Sequence, residues 1–474
     1  MDRDRHEHDH KPMTIQTINP ATGRQLASYP FHDNTQVDQI LEHAQRACRT
    51  WSSMQVEDRV GVLERLSAAF RDQIDDLASL VTTEMGKPVR EARAEVEKCA
   101  RTFQWYADHA PELLREEIVD RDDATAASVA FRPLGVVLAI MPWNFPLWQV
   151  TRAAAPVIAS GNAVVLKHAE NVTGTALALA HLFEDSGTPD GLFGALLVRV
   201  EEIERIIGDD RIAAVTLTGS TRAGRAVASI AGHYLKKTVL ELGGSDPFIV
   251  LEDADVRAAA SVAAKSRFQN AGQSCIAAKR MIVVDAVAPE FIDHFLAATE
   301  RLVVGDPMQE STDIGPMARM DLRDEVARQV RASVEAGGRI ITGGKPLDQP
   351  GSWYLPTLID NVAPGMPVLE EEVFGPVAPL VRVTDAEEAI TEANRTRYGL
   401  GAAIWTRDLG YGRGLASRLA AGSVTVNGMT ASDPRMPFGG IKESGYGREL
   451  ASYGLKEFVN AQAITVLDPS AERS

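Results

Sequence analysis

The chain has little cysteine, a deficit of basic charge and no long apolar run, and each shortage removes a class of function. Its three cysteines, Cys48, Cys99 and Cys275, are too few and too scattered along 474 residues for a disulfide framework or a four-ligand zinc site, so no metal is expected. A reducing compartment, the cytoplasm, is the expected home. Lys and Arg number 49 against 65 Asp and Glu, and a net charge of −16 argues against holding nucleic acid or an anionic membrane surface by charge. No stretch approaches about eighteen uninterrupted apolar residues, so no membrane span is expected. The opening MDRDRHEHDHKP lacks the apolar core of a signal peptide and is too acidic for a typical transit peptide; residues 1–12 read as a disordered tail. The usual phosphate-loop signatures are missing too. GSTRAG, from Gly219 to Gly224, is not GxGxxG, and no Gly-Lys-Ser/Thr of a Walker A loop follows.

What is present is ordinary soluble usage, 45% hydrophobic and 24% charged, in a chain long enough for two or more lobes. From about Asn34 to Leu114, apolar residues recur at three- and four-residue spacing, which predicts long amphipathic helices. Cys48 and Cys99 fall inside them and read as core residues. Beyond Ser128 the texture changes: GVVLAIM, AVVLK, GALLV, AAVTLTGS and TVLELGG alternate with helical stretches. The pattern resumes near Gly243 with PFIVL, MIVV and APLVRV. This alternation predicts βαβ units, hence an α/β fold with mostly parallel sheets covered on both faces, in two lobes.

Open parallel sheets bind ligands beyond the carboxyl ends of their strands, and the chemically capable residues collect there. After GVVLAIM, two prolines in PWNFP stiffen a turn that carries Trp143 and Asn144; the Asn144 amide reads either as an oxyanion donor or as part of a structural turn. After AVVLK come Lys167 and Glu170, either partners of an adenosine ribose or a solvated helix start. Gly219 and Ser220 precede a helix whose free N–H groups could hold a pyrophosphate. Glu241 ends a strand before paired glycines, as a base for water or as a turn cap. Glu372 and Phe374 lie in EEEVFGPV. Cys275, in FQNAGQSCIAAKR, is either a small buried hydrophobe or a thiol facing a cavity.

The motifs PWNFP, TGS, ELGG, GQSC, EEVFGPV and PFGGIKESGYGRE, in this order, resemble those of the aldehyde dehydrogenase superfamily over nearly the whole chain after the first dozen residues. The variants MPWNFPLWQVTR, LKHAENVTG, ELGGSDPFIVL and QNAGQSCIAAKR look like those of bacterial succinate-semialdehyde dehydrogenases that use NAD or NADP. The resemblance implies a Rossmann-type parallel-sheet cofactor domain at 13–114 and 134–242, a second α/β catalytic domain at 243–447 and a small β oligomerisation arm at 115–133 and 448–474, in a homodimer or homotetramer. It implies that Cys275 is the nucleophile, that Asn144 and the Cys275 N–H form the oxyanion hole, and that Glu241 is the general base. Lys167 and Glu170 would hold the adenosine ribose, Trp143, Gly219 and Ser220 the pyrophosphate, and Glu372 with Phe374 the nicotinamide riboside. The cofactor expected from Glu170 is NAD, with NADP as the alternative, because a 2′-phosphate against a carboxylate meets like charge.

Two departures bear on substrate and groove. Where some succinate-semialdehyde dehydrogenases carry an arginine six residues before the nucleophile, this chain has Gln269. A substrate carboxylate would then rest on Arg152, which matches a second arginine of that group, with Ser432 in the adjoining loop; the alternative for Arg152 is a structural ion pair, and Arg435 aligns with no role. The segment GALLVRVEEIERIIGDDR also lacks a glycine-pair loop common in the family. The expected activity is oxidation of succinate semialdehyde to succinate, against a dehydrogenase for neutral aliphatic or aromatic aldehydes and a noncatalytic protein on the same fold.

Overall fold

The computed structural model describes residues 14–121 and 125–467; the expected tail and the last residues of the expected arm lie outside them. Four helices, Asn34–Ser53, Val56–Asp72, Ile74–Met85 and Val89–Leu113, occupy the amphipathic region and bury Trp51, Phe70 and Phe103 completely. Their ends follow local chemistry. Asp33 and Gln36 form a reciprocal capping box, and Gly86 ends the third helix at φ 85°, a conformation that costs glycine little. A hairpin of Thr14–Ile18 and Gln25–Pro30 precedes them, an element the sequence reading did not foresee.

Two largely parallel sheets follow, as the alternating pattern predicts. The first has six strands in the order Gly445–Tyr446, Lys237–Glu241, Ile212–Thr218, Val136–Met141, Ala163–His168 and Phe193–Ala195. Its last five are mutually parallel, and Ala163–His168 is buried along its whole length, as expected for a strand covered on both faces. The chain starts at the central strand Val136–Met141, builds outward through two more, then crosses back to Ile212–Thr218 on the other side. The reversal leaves a switch point between those two strands, where open α/β sheets bind ligands. Trp143 and Asn144 follow one of them, and Gly219 and Ser220 follow the other.

The second sheet has seven strands, with Ala278–Val284 and Asp246–Val250 near its middle and only Arg339–Thr342 antiparallel. Gly445–Tyr446 leaves this part of the chain and pairs antiparallel with Lys237–Glu241, so one short strand ties the two sheets together. Three antiparallel strands, Val459–Leu467, Thr125–Pro133 and Glu117–Arg121, form a separate small sheet. Among the described residues no helix is long and apolar enough to cross a membrane.

Candidate active site

Cys275 follows three consecutive residues in the left-handed region, Asn270, Ala271 and Gly272, at φ 53°, 52° and 72°. Such a run is strained for the two non-glycine residues and persists only where neighbours over-determine it. Here the Asn270 N–H donates to Glu91 Oε2 at 2.8 Å and its amide donates to the Asn144 carbonyl at 2.7 Å. The Gln273 side chain donates to the Asn270 carbonyl at 3.1 Å and accepts the Ala318 N–H at 2.9 Å. Lys279 Nζ donates to the Ser274 and Cys275 carbonyls at 2.8 and 2.6 Å. The cysteine is thereby presented on a clamped loop just before the strand Ala278–Val284.

The PWNFP turn is fastened from the neighbouring strand by buried His168: Nε2 lies 2.9 Å from the Pro146 carbonyl, and Nδ1 accepts the Ala169 N–H at 3.0 Å. Burial pushes this imidazole down to about 4, so it stays neutral. Asn144 is buried, and its amide donates one N–H to the Gln273 carbonyl at 3.1 Å. A side-chain amide carries two donors, so one remains.

Two cavities meet at Cys275. One, of about 150 Å³, is walled by Lys98, Arg152, Gln269, Cys275, Ser432 and Phe438 among others. The other, of about 250 Å³, runs from Gly219 and Ser220 past Trp143 and Asn144 to Glu372 and Phe374. Their walls share only Gln149 and Cys275. The second cleft offers residues that suit the pyrophosphate and nicotinamide end of a dinucleotide. Ser220 caps the thirteen-residue helix Thr221–His233, accepting the Ala223 N–H at 3.2 Å and leaving first-turn N–H groups open for phosphate oxygens. Trp143 and Phe374 meet edge to face at 5.7 Å. Glu372 is fixed by the Gly244 N–H at 2.9 Å and by Lys279 Nζ at 3.4 Å.

Not every expected residue joins these walls. Glu241 sits with Arg152 and Glu449 in a buried cluster, faces neither cavity, and has no hydrogen-bond partner on either oxygen. Burial first, then the Glu449 charge, hold its carboxyl well above the usual range. Arg152 reaches the smaller cavity, but its guanidinium is ion-paired with Glu449, lies 3.3 Å from Thr218 Oγ1 and rests 4.3 Å over the Phe438 ring. Of the two expectations for Arg152, the ion pair is present, with the buried Glu449 as its partner, while the side chain still reaches the cavity wall. Lys167 and Glu170 lie at the end of Ala163–His168, outside both cavity walls, with Lys167 buried and Glu170 exposed. Arg319 feels the Glu170 charge but is bonded bidentately to Asp321 at 2.7 and 2.9 Å. Ser432 lines the smaller cavity, whereas Arg435 is exposed and bonded to Asp433.

The model of the aldehyde dehydrogenase family matches residues 7–464. The chain belongs to that family. It is 46% identical over 450 residues to the succinate semialdehyde dehydrogenase (NAD(P)+) Sad of Escherichia coli K12, covering 94% of this chain and 97% of that one. It is 48% identical over 454 residues to a probable succinate-semialdehyde dehydrogenase (NADP(+)) of Synechocystis, covering 96% and 100%. Its fold matches the crystal structure of succinic semialdehyde dehydrogenase from Streptococcus pyogenes in complex with NADP+, with a TM-score of 0.93 and 35% identity, covering 96% and 100% of the two chains.

For an aldehyde dehydrogenase of this sequence, two residues at the site escaped the reading of motifs. Lys98 projects from the helix Val89–Leu113, where its spacing is that of any lysine on an amphipathic helix, so no local signal marks it. Glu449 does lie inside a recognised motif, at the end of GYGRE, but its partner Arg152 is distant in sequence, so the motif alone does not mark the pairing.

Proposed function

We propose that the chain oxidises a short aldehyde with a distal carboxylate, succinate semialdehyde foremost, to the acid with NAD(P)+ as hydride acceptor. The observation that carries this reading is Cys275 in the wall shared by two cavities of different shape. Substrate size is supported by the smaller cavity: about 150 Å³ is the volume in which an apolar pocket holds benzene, so a four-carbon semialdehyde is near the limit. Its walls contain two cationic residues, Lys98 and Arg152, and no carboxylate, a balance that suits an anionic substrate. The names of the relatives point the same way.

In this reading Cys275 attacks the aldehyde carbon, and the oxyanion of the thiohemiacetal is held by Asn144 Nδ2 and the Cys275 N–H. Glu372 and Phe374 would hold the nicotinamide and Ser220 and Trp143 the pyrophosphate, and the group when bound would supply the hydride acceptor. Hydride loss leaves a thioester on Sγ. Glu241 then turns out of its cluster and takes a proton from water, whose oxygen displaces the thiol and gives the carboxylic acid. Lys167 and Glu170 are assigned to the adenosine ribose, and the exposed Glu170 carboxylate favours NAD over NADP. The three free cysteines support a reducing compartment, the cytoplasm, as its home.

Initial rates of NADH and NADPH formation over succinate semialdehyde, butanal, hexanal and benzaldehyde test the proposal. The highest kcat/KM is expected for succinate semialdehyde with NAD, and Cys275→Ala should abolish turnover. A higher value for a neutral aldehyde overturns the substrate. A clear preference for NADP overturns the assignment of Glu170, and surviving turnover in the variant overturns the nucleophile.

A further inference from the structure

The smaller cavity presents only two cations, and they are not equivalent. Arg152 is spent on Glu449, and Gln269 offers a neutral amide. Lys98 is held differently. Its Nζ donates to Ser432 Oγ at 2.7 Å and lies 4.0 Å from the Trp148 ring, and among the described residues no ion pair joins it to a carboxylate. An ammonium has three donors, so two stay uncommitted beside a hydroxyl that can supply a third contact.

The placement of Lys98 is not incidental. One turn earlier on the same helix, Glu95 Oε1 accepts the N–H groups of Leu147 and Trp148, both at 2.9 Å, and is itself ion-paired through Oε2 with Lys87. That carboxylate fastens the start of the helix Trp148–Ala159 to the helix Val89–Leu113. The Trp148 ring is thereby set against the ammonium, which also donates to Ser432.

We propose that Lys98, with Ser432, receives the distal carboxylate of the substrate while the aldehyde end lies at Cys275. The assignment rests on the proposed reading of the substrate as a carboxylated aldehyde. An anion arriving there meets a cation that, among the described residues, no ion pair engages, although the Glu95 and Asp433 charges act on it from farther off, and a charge-assisted pair in a small, largely desolvated cavity is stronger than one at the surface. Burial, helped by the Arg152 charge, pushes the free ammonium down to about 8, which a bound carboxylate would reverse.

Kinetics with succinate semialdehyde and with butanal, its counterpart of equal length without the carboxylate, test the assignment in Lys98→Met and Lys98→Arg. Lys98→Met should lower kcat/KM for succinate semialdehyde by about 30- to 1000-fold, chiefly through KM, and leave butanal within about threefold. Lys98→Arg should keep most of the preference. Thermal stabilisation by succinate, a probe independent of turnover, should be present in the wild type and absent in Lys98→Met. Equal losses on both aldehydes, or stabilisation by succinate that survives the substitution, overturn the role of Lys98. A wild type that prefers butanal overturns the substrate reading instead, so the two failures are distinct.

Discussion

Cys275 carries a thiol that burial pushes up to about 11, against which the Arg152 and Lys279 charges act only partly. On the proposed reading the thiolate attacks, so at neutral pH the proton has to leave as the carbon is approached. Glu241 faces the mirror problem. Burial first, and then the Glu449 charge, hold its carboxyl well above 4.5, so it becomes a base at higher pH than an exposed carboxyl does. A base works in its deprotonated form, which means deacylation should fall as pH is lowered through that raised value and be fully present above it. Glu241→Gln should leave a burst of reduced cofactor equivalent to the enzyme, followed by slow turnover from which this acidic limb has vanished. Stopped-flow absorbance at the reduced nicotinamide band, repeated across pH, reads both. Unchanged steady-state turnover would remove Glu241 from the reaction.

The nucleophile loop is the element where backbone conformation and packing are most tightly joined. At Gly272, φ is 72° and an added Cβ would run into the Gly375 carbonyl oxygen. Gly272→Ala should therefore cost at least about 2 kcal/mol and depress turnover by disordering Cys275, as denaturant unfolding and kinetics would show. A neutral outcome would mean the loop repacks freely. The same loop marks what can be read in a sequence. The glycine and cysteine of GQSC were legible, as were the strands GVVLAIM and AVVLK, because a fully buried parallel strand writes its environment into consecutive residues. The ion pair of Arg152 with Glu449 was not, nor the two-residue strand Gly445–Tyr446, nor Lys98 over Trp148. Each joins segments far apart in the chain, and no local periodicity records such a meeting.

In the whole molecule, the three-stranded sheet ends in an open edge. Ile118 and Val119 on one outer strand, and Val466 and Leu467 on the other, are more than 60% exposed. Apolar edge strands left in water invite pairing with other chains, and a stable monomer would have to blunt them. A homodimer or a dimer of dimers is the expected solution state, and light scattering that shows a monomer at micromolar concentration would contradict it. The meeting of two cavities at Cys275 has a consequence for traffic. With only Gln149 and Cys275 common to both walls, the two cavities are partitioned by side chains everywhere except at those two residues. On the proposed chemistry, the partition would let the nucleotide-side cleft empty while the acyl group stays on the other side of Cys275, leaving room for water beside the thioester.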